Sequence, residues 1–421
     1  MKQKLTVREQ VLVGLTLFSM FFGAGNLIFP PYLGQEAGTS IWIAMIGFMV
    51  SAVCLPILGV VAVAKAGGLT TLANRVHPKF SLIFTLLAYL SIGPCLAIPR
   101  TASTSFTMAV VPFVGADAPL RGFQLVYSLV FFSVAFLIAL KPEKLTDKLG
   151  KILCPTLLIL IAVIFFGCLF LHEGGYGQVQ EKYAQGALAA GFIDGYQTMD
   201  TIAALVFGLV IAMNINAKGV TEEKEVVKSL AKAGVIAGVI LALVYGALGH
   251  VGALAGGGGF HLEGNTNGAQ TLTAIVGELY GSFGKILLAG VFVLACMNTC
   301  IGLLCSCSEY FYKLVPSISY KKWLLIFAGF SMGLSNAGLD LILKLSVPVL
   351  SAIYPVCIIL ILLALLQKYI SQMPLVYPLT IVVTFVAGLL DLGGLTWVLP
   401  SVLAIAVGAV ISVVARRRET R

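Results

Sequence analysis

Two short stretches of the sequence place glycines and polar side chains inside runs that are otherwise apolar. They read FFGAGNLIFPP (21–31) and GFIDGYQTMDT (191–201). A helix interrupted at such a stretch leaves carbonyl oxygens without partners on one side of the break and N–H groups on the other. Free carbonyls can coordinate a cation or an ammonium group, and free N–H groups can bind a carboxylate. The chemistry indicated is recognition of an ion and a zwitterion.

The two breaks expose groups in matching ways. A half-helix ending near Ser19–Phe22 frees carbonyls, and a half-helix starting near Gly25–Asn26 frees N–H groups. In the second break, Gly195 permits strained backbone angles, and Thr198 or Asp200 can cap the next helix. For either cluster alone, a kink that serves only helix packing is the alternative. The pair favours a site, because matched interruptions in two repeats mark the midplane sites of secondary transporters.

Polar residues elsewhere in apolar runs are candidates for the same site. Asp200 is ionisable, so we expect it beside the cation route, as a proton carrier, or as a helix cap. Residues 294–311, LACMNTCIGLLCSCSEYF, include Asn298 and Thr299, whose oxygens suit a hard cation such as Na⁺. Ala295 shares a helix face with Thr299. The alternative for this segment is ordinary hydrogen bonding between helices.

Further segments invite narrower expectations. Residues 91–105, SIGPCLAIPRTASTS, combine prolines with small polar residues, as in a helix that lines a substrate path. We expect Arg100 to reach a vestibule or lipid headgroups and not the substrate. His250 is expected to be a hydrogen-bonded structural histidine, and Asp194 to lie near the outer vestibule. The run 255–270 lacks the GK[ST] of a phosphate loop, and we expect it to be external and able to close over the vestibule.

These segments belong to a chain whose composition suits a hydrocarbon solvent. Of its 421 residues, 59% are hydrophobic and 11% charged, and the mean hydropathy is +1.00. The net charge of +9 comes from scattered Lys and Arg without a basic patch, which argues against nucleic acid as a partner. No cysteine motif for metal and no catalytic triad or paired-carboxylate pattern supports an enzyme. We expect an all-α polytopic membrane protein, one domain over 1–421, in contact with the lipid bilayer and without an obligatory protein partner.

Twelve apolar stretches are long enough to cross a bilayer. They are Val7–Leu33, Ile41–Ala64, Phe80–Val111, Phe123–Leu140, Ile152–Leu171, Ala187–Asn216, Ala233–Leu254, Ile286–Tyr312, Trp323–Ala337, Ser346–Leu366, Val376–Leu390 and Leu395–Ala415. Of the 27 Lys and Arg residues, 22 lie at the two ends and in every second connection, and 4 lie in the intervening connections. By the positive-inside rule, both termini are cytoplasmic. Each broken helix opens a set of five, so the second repeat (about 187–366) is inverted relative to the first (about 7–171), and helices 11 and 12 (about 376–415) follow.

Three motifs carry a resemblance that runs along the whole chain. FGAGNLIFPPYLGQEAG (22–38), GFIDGYQTMDTIAAL (191–205) and CMNTCIGL (296–303) resemble the branched-chain amino acid:cation symporter family of bacterial carriers. The resemblance implies the leucine-transporter-type 5+5 inverted repeat of the amino acid–polyamine–organocation superfamily. It also implies leucine, isoleucine and valine as substrates and Na⁺ or H⁺ as the coupling ion, with no other cofactor.

The resemblance assigns residues to the site by position. The backbone of the first break is expected to contact the substrate, at Phe22, Gly23, Ala24, Gly25 and Asn26. The second break is expected to contribute Gly195, Tyr196, Thr198 and Met199, and Ile98 is expected to join Tyr196 and Met199 around the aliphatic tail. The implied sodium ligands are Ser19, Phe22, Ala295, Asn298 and Thr299, with an amide oxygen at Asn298 in place of a hydroxyl.

These expectations combine into one predicted function with open alternatives. We predict a symporter that imports branched-chain amino acids across the bacterial cytoplasmic membrane by alternating access. The first alternative is a carrier of the same fold for another small amino acid or solute, coupled to protons. The second is a channel, although channels usually assemble around a symmetric pore whereas an internal inverted repeat favours a carrier.

Overall fold

The computed structural model describes residues 4–114, 118–142, 146–171, 175–257, 268–391 and 394–419, and these residues are helical apart from turns and short connections. The first ten helices are α1 (Val7–Phe21), α2 (Ala24–Ala37), α3 (Ile41–Met49), α4 (Leu55–Ala66), α5 (Leu69–Asn74), α6 (Pro78–Leu90), α7 (Ala97–Ala109), α8 (Leu120–Ala139), α9 (Cys154–Leu171) and α10 (Glu181–Ala184). The others are α11 (Ala187–Asp194), α12 (Asp200–Ala217), α13 (Glu223–Gly257), α14 (Gly268–Leu314), α15 (Tyr320–Ser335), α16 (Leu339–Leu365), α17 (Gln367–Ile370), α18 (Val376–Asp391) and α19 (Val398–Glu419).

Within the described ranges, nine helical stretches are long and apolar enough to cross a membrane. The predicted sixth span meets that criterion through α12 alone. The predicted first span does not meet it as a continuous unit because it is divided between α1 and α2, and the ninth and eleventh do not because α15 and α18 have 16 residues each. The predicted eighth span, Ile286–Tyr312, lies in the part of α14 that follows its bend at Gly281, which has φ +56°. Of the run 255–270 that we expected to be external, residues 258–267 lie outside the described residues.

The first break is held open by a side chain and a close helix contact. The N–H of Gly23 donates to Asn26 Oδ1 at 3.0 Å, so it does not close a further turn onto the Ser19 carbonyl. A Cβ at position 23 would lie 2.7 Å from Thr299 Oγ1, so only glycine lets α14 approach this closely. The chain therefore leaves the helix after Phe21 and resumes it at Ala24.

The second break has a different local cause. A single 3₁₀ turn, Gly195–Thr198, follows α11. Met199 then has φ 68°, a left-handed conformation that costs a non-glycine residue about 1 kcal/mol or more. A Cβ at Gly195 would lie 1.8 Å from Ser51 Oγ, so this turn is pressed against the π-helical segment Val50–Cys54 between α3 and α4.

The two broken helices pack in equivalent ways. Both α1 and α2 pack along α13, while α11 packs along α3 and α12 along α4. Small residues bring the backbones close: a Cβ at Gly34 would lie 2.0 Å from the Gly249 carbonyl oxygen, and one at Gly47 would lie 2.0 Å from that of Leu188. Such seams are typical of helix packing in membranes, where close backbone approach replaces a hydrophobic driving force.

The outside of the bundle is apolar. Large side chains such as Phe170, Leu243 and Leu399 are 77%, 69% and 67% exposed. A water-soluble monomer rarely exposes apolar surface on this scale, and lipid is the solvent that such a surface fits. The protein is a multi-pass membrane protein whose polar breaks lie inside the bundle.

Candidate substrate and cation site

Three side chains join the two breaks at the centre of the bundle. Asn26 Nδ2 donates to Asp200 Oδ2 at 2.6 Å and is also hydrogen-bonded to the hydroxyl of Tyr245. Tyr245 in turn donates to the same Asp200 oxygen at 3.1 Å. All three side chains are buried. Asp200 lies in the first turn of α12, so its carboxylate also faces the partial positive charge of that helix end.

A small cavity of about 20 Å³ lies beside this cluster. Its lining residues come from both breaks and from the helices that cross them: Met20, Phe21, Gly23, Ala24, Asn26, Ile92, Ala97, Arg100, Thr101, Thr198, Met199, Asp200, Ala203, Thr299 and Leu303. That volume holds about one water molecule, so an amino acid would enter only if the surrounding helices moved apart.

The predicted substrate residues divide into two groups around this cavity. Those that line it are Gly23, Ala24, Asn26, Thr198 and Met199. Those that do not line it are Phe22, Gly25, Ile98, Gly195 and Tyr196.

Residues of the second group still pack close to the breaks. Phe22 stacks on Tyr245 with ring centroids 6.3 Å apart, and Tyr196 stacks on Tyr354 at 4.4 Å. Gly25 lies against Arg100, whereas Gly195 faces helix α3–α4 and Ile98 is fully buried. The sequence pattern located the breaks correctly but could not tell which of their residues face inward.

The predicted cation ligands supply oxygens that lack hydrogen bonds. Buried atoms without a hydrogen-bond partner include Ser19 Oγ, both side-chain polar atoms of Asn298, and Thr299 Oγ1. Ala295 is fully buried one turn before Thr299 on α14. Buried polar atoms are rarely left unpaired, and Thr299 lies against Gly23 just after the end of α1, so its hydroxyl oxygen is available to a cation at that helix end. The described residues contain no cluster of three or more His, Cys, Asp or Glu, so neutral oxygens would carry the coordination.

Arg100 corrects one expectation. It does not reach a vestibule or headgroups: it is 5% exposed, and its Nη1 donates to the carbonyl oxygen of Gln197 at 3.1 Å. The proline-rich segment before it causes this placement. Gly93 has ψ −122°, and the chain kinks there, which turns α7 into the bundle toward the second break. Ionisable residues inside apolar spans usually face the bundle interior, and that rule would have predicted the position of Arg100. The expectation was wrong because it assumed that the long side chain extends to the membrane surface.

Two site residues were not anticipated. Tyr245 completes the cluster with Asn26 and Asp200, and the hydroxyl of Tyr354 accepts the N–H of Thr201 at 3.3 Å. Each is one tyrosine in a long apolar helix, without a spacing motif; Gly246 follows Tyr245, and Pro355 follows Tyr354. Only the hydroxyl distinguishes them from core aromatics, and its need for a buried partner is the single sequence signal.

A second, larger cavity of about 700 Å³ lies at one end of the bundle. Residues of the α4–α5 connection and of the C-terminal part of α14 contribute to its wall, which also includes Tyr89 and Leu205. Tyr89 stacks on Tyr310 at 4.0 Å between ring centroids. Ile92 and Ala203, three and two residues along the chain from Tyr89 and Leu205, line the small cavity. Neighbouring residues of the same two helical segments therefore line both cavities.

At the opposite end of the bundle, hydrogen bonds hold the segment 175–180 on α2 and α13. Gly177 donates to the Ala253 carbonyl at 3.1 Å, and Gln180 donates to that of Glu36 at 2.9 Å. Asp194 forms an ion pair with Lys182 at 2.5 Å. Next to this segment, His250 Nδ1 is hydrogen-bonded to the hydroxyl of Tyr176 at 2.8 Å, which confirms the prediction of a structural histidine.

Comparison with known proteins agrees with this architecture. A family model described as branched-chain amino acid transport protein matches residues 6–408. Branched-chain amino acid permease BraB of Bacillus subtilis is 39% identical, over 98% of this chain and 97% of the relative. The branched-chain amino acid transport system 3 carrier protein of Pseudomonas aeruginosa is 41% identical, over 84% of this chain and 80% of the relative.

A solved structure shares the fold. Mhp1, a nucleobase-cation-symport-1 family transporter in a closed conformation with bromovinylhydantoin bound, aligns with a TM-score of 0.54 at 15% identity. The alignment covers 95% of this chain and 91% of that one. The relatives at about 40% identity are named as permeases and carriers and not as enzymes, which confirms the resemblance found in the three sequence motifs. The chain belongs to the branched-chain amino acid transport protein family.

Proposed function

We propose that the protein is a secondary transporter that imports leucine, isoleucine and valine by symport with Na⁺, through alternating access. The observation that carries this proposal is the junction of the two breaks: Asn26 and Asp200 meet beside a closed cavity in the middle of an apolar bundle. Family membership supports the substrate class. The bacterial relatives and the distribution of Lys and Arg support placement in the cytoplasmic membrane with both termini inside.

The fold proposed for this function has twelve membrane crossings in a leucine-transporter-type arrangement. α1 with α2 forms the first crossing and α11 with α12 the sixth, so two inverted sets of five span about 7–171 and 187–366. The equivalent packing of the two broken helices, on α13 and on α3–α4, supports the repeat. Helices α18 and α19, over about 376–415, lie outside it.

Binding of the substrate would use the exposed backbone of both breaks. The first N–H groups of α2, at Ala24 and Gly25, would bind the substrate carboxylate, and Thr198 and Met199 would present the turn before α12. An aliphatic tail requires an apolar wall, and Met20, Ile92 and Leu303 provide one in the lining of the small cavity.

Sodium is the coupling ion that the unpaired oxygens favour. The Ser19 carbonyl, released by the break, would act together with Ser19 Oγ, the Asn298 amide oxygen and Thr299 Oγ1. A cation there would tie the end of α1 to α14 and so stabilise the substrate cradle. Proton coupling is the second candidate, because Asp200 is a buried carboxylate that bridges both breaks.

Alternating access is supported by the unequal ends of the bundle. The 700 Å³ cavity opens on the side that carries the connection around Lys65, which the charge distribution makes cytoplasmic. The other side is closed by the segment 175–180. This asymmetry fits a carrier whose site faces the cytoplasm, whereas a channel would need one continuous path.

Transport in proteoliposomes tests the proposal. Labelled leucine uptake is measured with an inward Na⁺ gradient, and then with a pH gradient alone, with protein-free liposomes as the control. We expect concentrative uptake in the first case that collapses when a sodium ionophore is added. Absence of leucine accumulation under both gradients would overturn the proposed function, and uptake driven by the pH gradient alone would replace Na⁺ by H⁺.

A further inference from the structure

Arg100 places a buried positive charge between the two breaks. Its Nη1 atom donates to the Gln197 carbonyl oxygen at 3.1 Å, in the turn that precedes α12. Its Nη2 atom lies against the first turn of α2, because a Cβ at Gly25 would be 2.9 Å from it. The guanidinium thus lies against the backbone of the first break at Gly25.

This charge has only a neutral hydrogen-bond acceptor in the described part of the chain. Asp200 is the other ionisable residue that lines the small cavity, and it accepts hydrogen bonds from Asn26 and Tyr245. Arg100 and Asp200 are therefore not hydrogen-bond partners of each other. An arginine inside a membrane protein is costly and is retained where it pairs with an anion or serves transport.

The charge of Asp200 attracts Arg100 without a direct hydrogen bond, and the chemistry of the guanidinium limits which anion could bind it directly. Arginine presents five N–H donors in a planar fork that matches the two oxygens of a carboxylate. The bond to Gln197 uses one of these donors, and the side chain lines the small cavity. The first N–H groups of α2 have no side-chain cap, and they meet the same region at Gly25. A fixed cation and a helix N-terminus both favour a carboxylate there.

We propose that Arg100 binds the carboxylate of the transported amino acid and makes the carrier selective for ligands that have one. The inference rests on the proposed function, because it assigns a role within that same site. Asp200, at the second break, lines the same small cavity as Arg100, so the cavity offers opposite charges to the two ends of a zwitterion. Arg100 is thereby a specificity-determining residue, because it contacts the carboxylate. Contacts with the aliphatic tail of the substrate add affinity but do not distinguish ligands that have a carboxylate from those that lack one.

Binding of two matched ligands tests the inference. Leucine and leucinamide share the ammonium group and the aliphatic tail but differ in the carboxylate. Their dissociation constants are measured by calorimetry on purified wild-type protein and on the Arg100→Gln and Arg100→Lys variants. Arg121→Gln is the control, since Arg121 is exposed at the start of α8. We expect Arg100→Gln to weaken leucine binding about 100-fold or more and leucinamide binding less than threefold, whereas Arg121→Gln changes neither.

The outcomes separate the inference from the function on which it rests. Equal weakening of both ligands in Arg100→Gln, or unchanged leucine binding, would overturn the role of Arg100 while leaving the carrier intact. If Arg100→Gln does not fold, the Arg100→Lys variant tests the inference instead, because the lysine ammonium keeps the positive charge but lacks the planar pair of N–H donors. A leucine-over-leucinamide preference reduced about tenfold in that variant supports the inference, and an unchanged preference overturns it. A wild-type protein that binds no branched-chain amino acid would overturn the proposed function and this inference with it.

Discussion

The side-chain amide of Asn26 donates a 2.6 Å hydrogen bond to the carboxylate of Asp200, across 174 residues of sequence. The same amide's oxygen accepts the N–H of Gly23 at 3.0 Å. One side chain therefore both opens the first helix and ties it to the second. In a carrier, Asn26 would therefore couple a conformational change at one break to the other break.

We expect Asn26→Ala to lower leucine uptake roughly tenfold or more and to destabilise the protein by about 1–3 kcal/mol, because it removes one of the two side-chain hydrogen bonds to a buried carboxylate and leaves a buried N–H without a partner. Uptake in proteoliposomes and thermal unfolding in detergent measure the two effects. Asn336→Ala is the matched control, since Asn336 bonds Ser128 and Met332 away from both breaks. Equal losses in the two variants would contradict a special role for Asn26.

Thr299→Ala should raise the Na⁺ concentration needed for half-maximal uptake by about threefold to tenfold, because it removes one neutral oxygen ligand worth about 1 kcal/mol. The measurement is leucine uptake against Na⁺ concentration at a fixed leucine concentration. Thr380→Ala also removes a buried hydroxyl without a hydrogen-bond partner, but in α18, and should leave the Na⁺ dependence unchanged. An unchanged value in Thr299→Ala would move the cation elsewhere.

Replacement of Asp200 by Asn distinguishes the two coupling ions. The variant keeps the side-chain volume but loses the charge that accepts two hydrogen bonds, each worth about 1.5–3 kcal/mol. With Na⁺ coupling, we expect uptake to fall about tenfold or more, while the shape of its pH profile and its response to Na⁺ remain. Asp194→Asn, which removes the surface ion pair with Lys182, is the control. A wild-type pH dependence that disappears only in Asp200→Asn would establish proton coupling.

Gly34→Ala should destabilise the protein by about 1–3 kcal/mol or more, because the new Cβ would lie 2.0 Å from a backbone oxygen of α13 that cannot turn away. Thermal unfolding in detergent measures the loss. Gly246→Ala, on α13, is the comparison, since its nearest neighbour is the flexible end of Met49 at 3.7 Å. If the two alanines prove equally tolerated, α2 and α13 do not need their close contact.

The sequence predicted helices and helix breaks correctly where local residue types determine the backbone conformation. The second predicted span, Ile41–Ala64, matches the observed helical stretch within two residues, because long apolar runs in lipid have few alternatives to helix. The breaks at Gly23 and Gly195 were found for the same reason: glycines and polar residues at membrane depth need a cavity or a packing partner.

It failed where the outcome depends on contacts between distant segments. Arg100 turns inward because the kink at Gly93 directs α7 toward Gln197, a relationship that no local pattern contains. Gly195 faces Ser51 and not the cavity for a similar reason. The inward or outward direction of a residue at a break is decided by the helices packed against it.

The left-handed conformation of Met199 gives the two breaks different stiffness. At the first break, the backbone between Phe21 and Ala24 contains a glycine, whose φ and ψ change at little cost. At the second, a methionine is locked in one strained conformation, and the Tyr354 hydroxyl holds the adjoining turn at Thr201. In the proposed transport cycle we therefore expect the first break to act as the hinge about which α1 moves, while the turn before α12 keeps its shape.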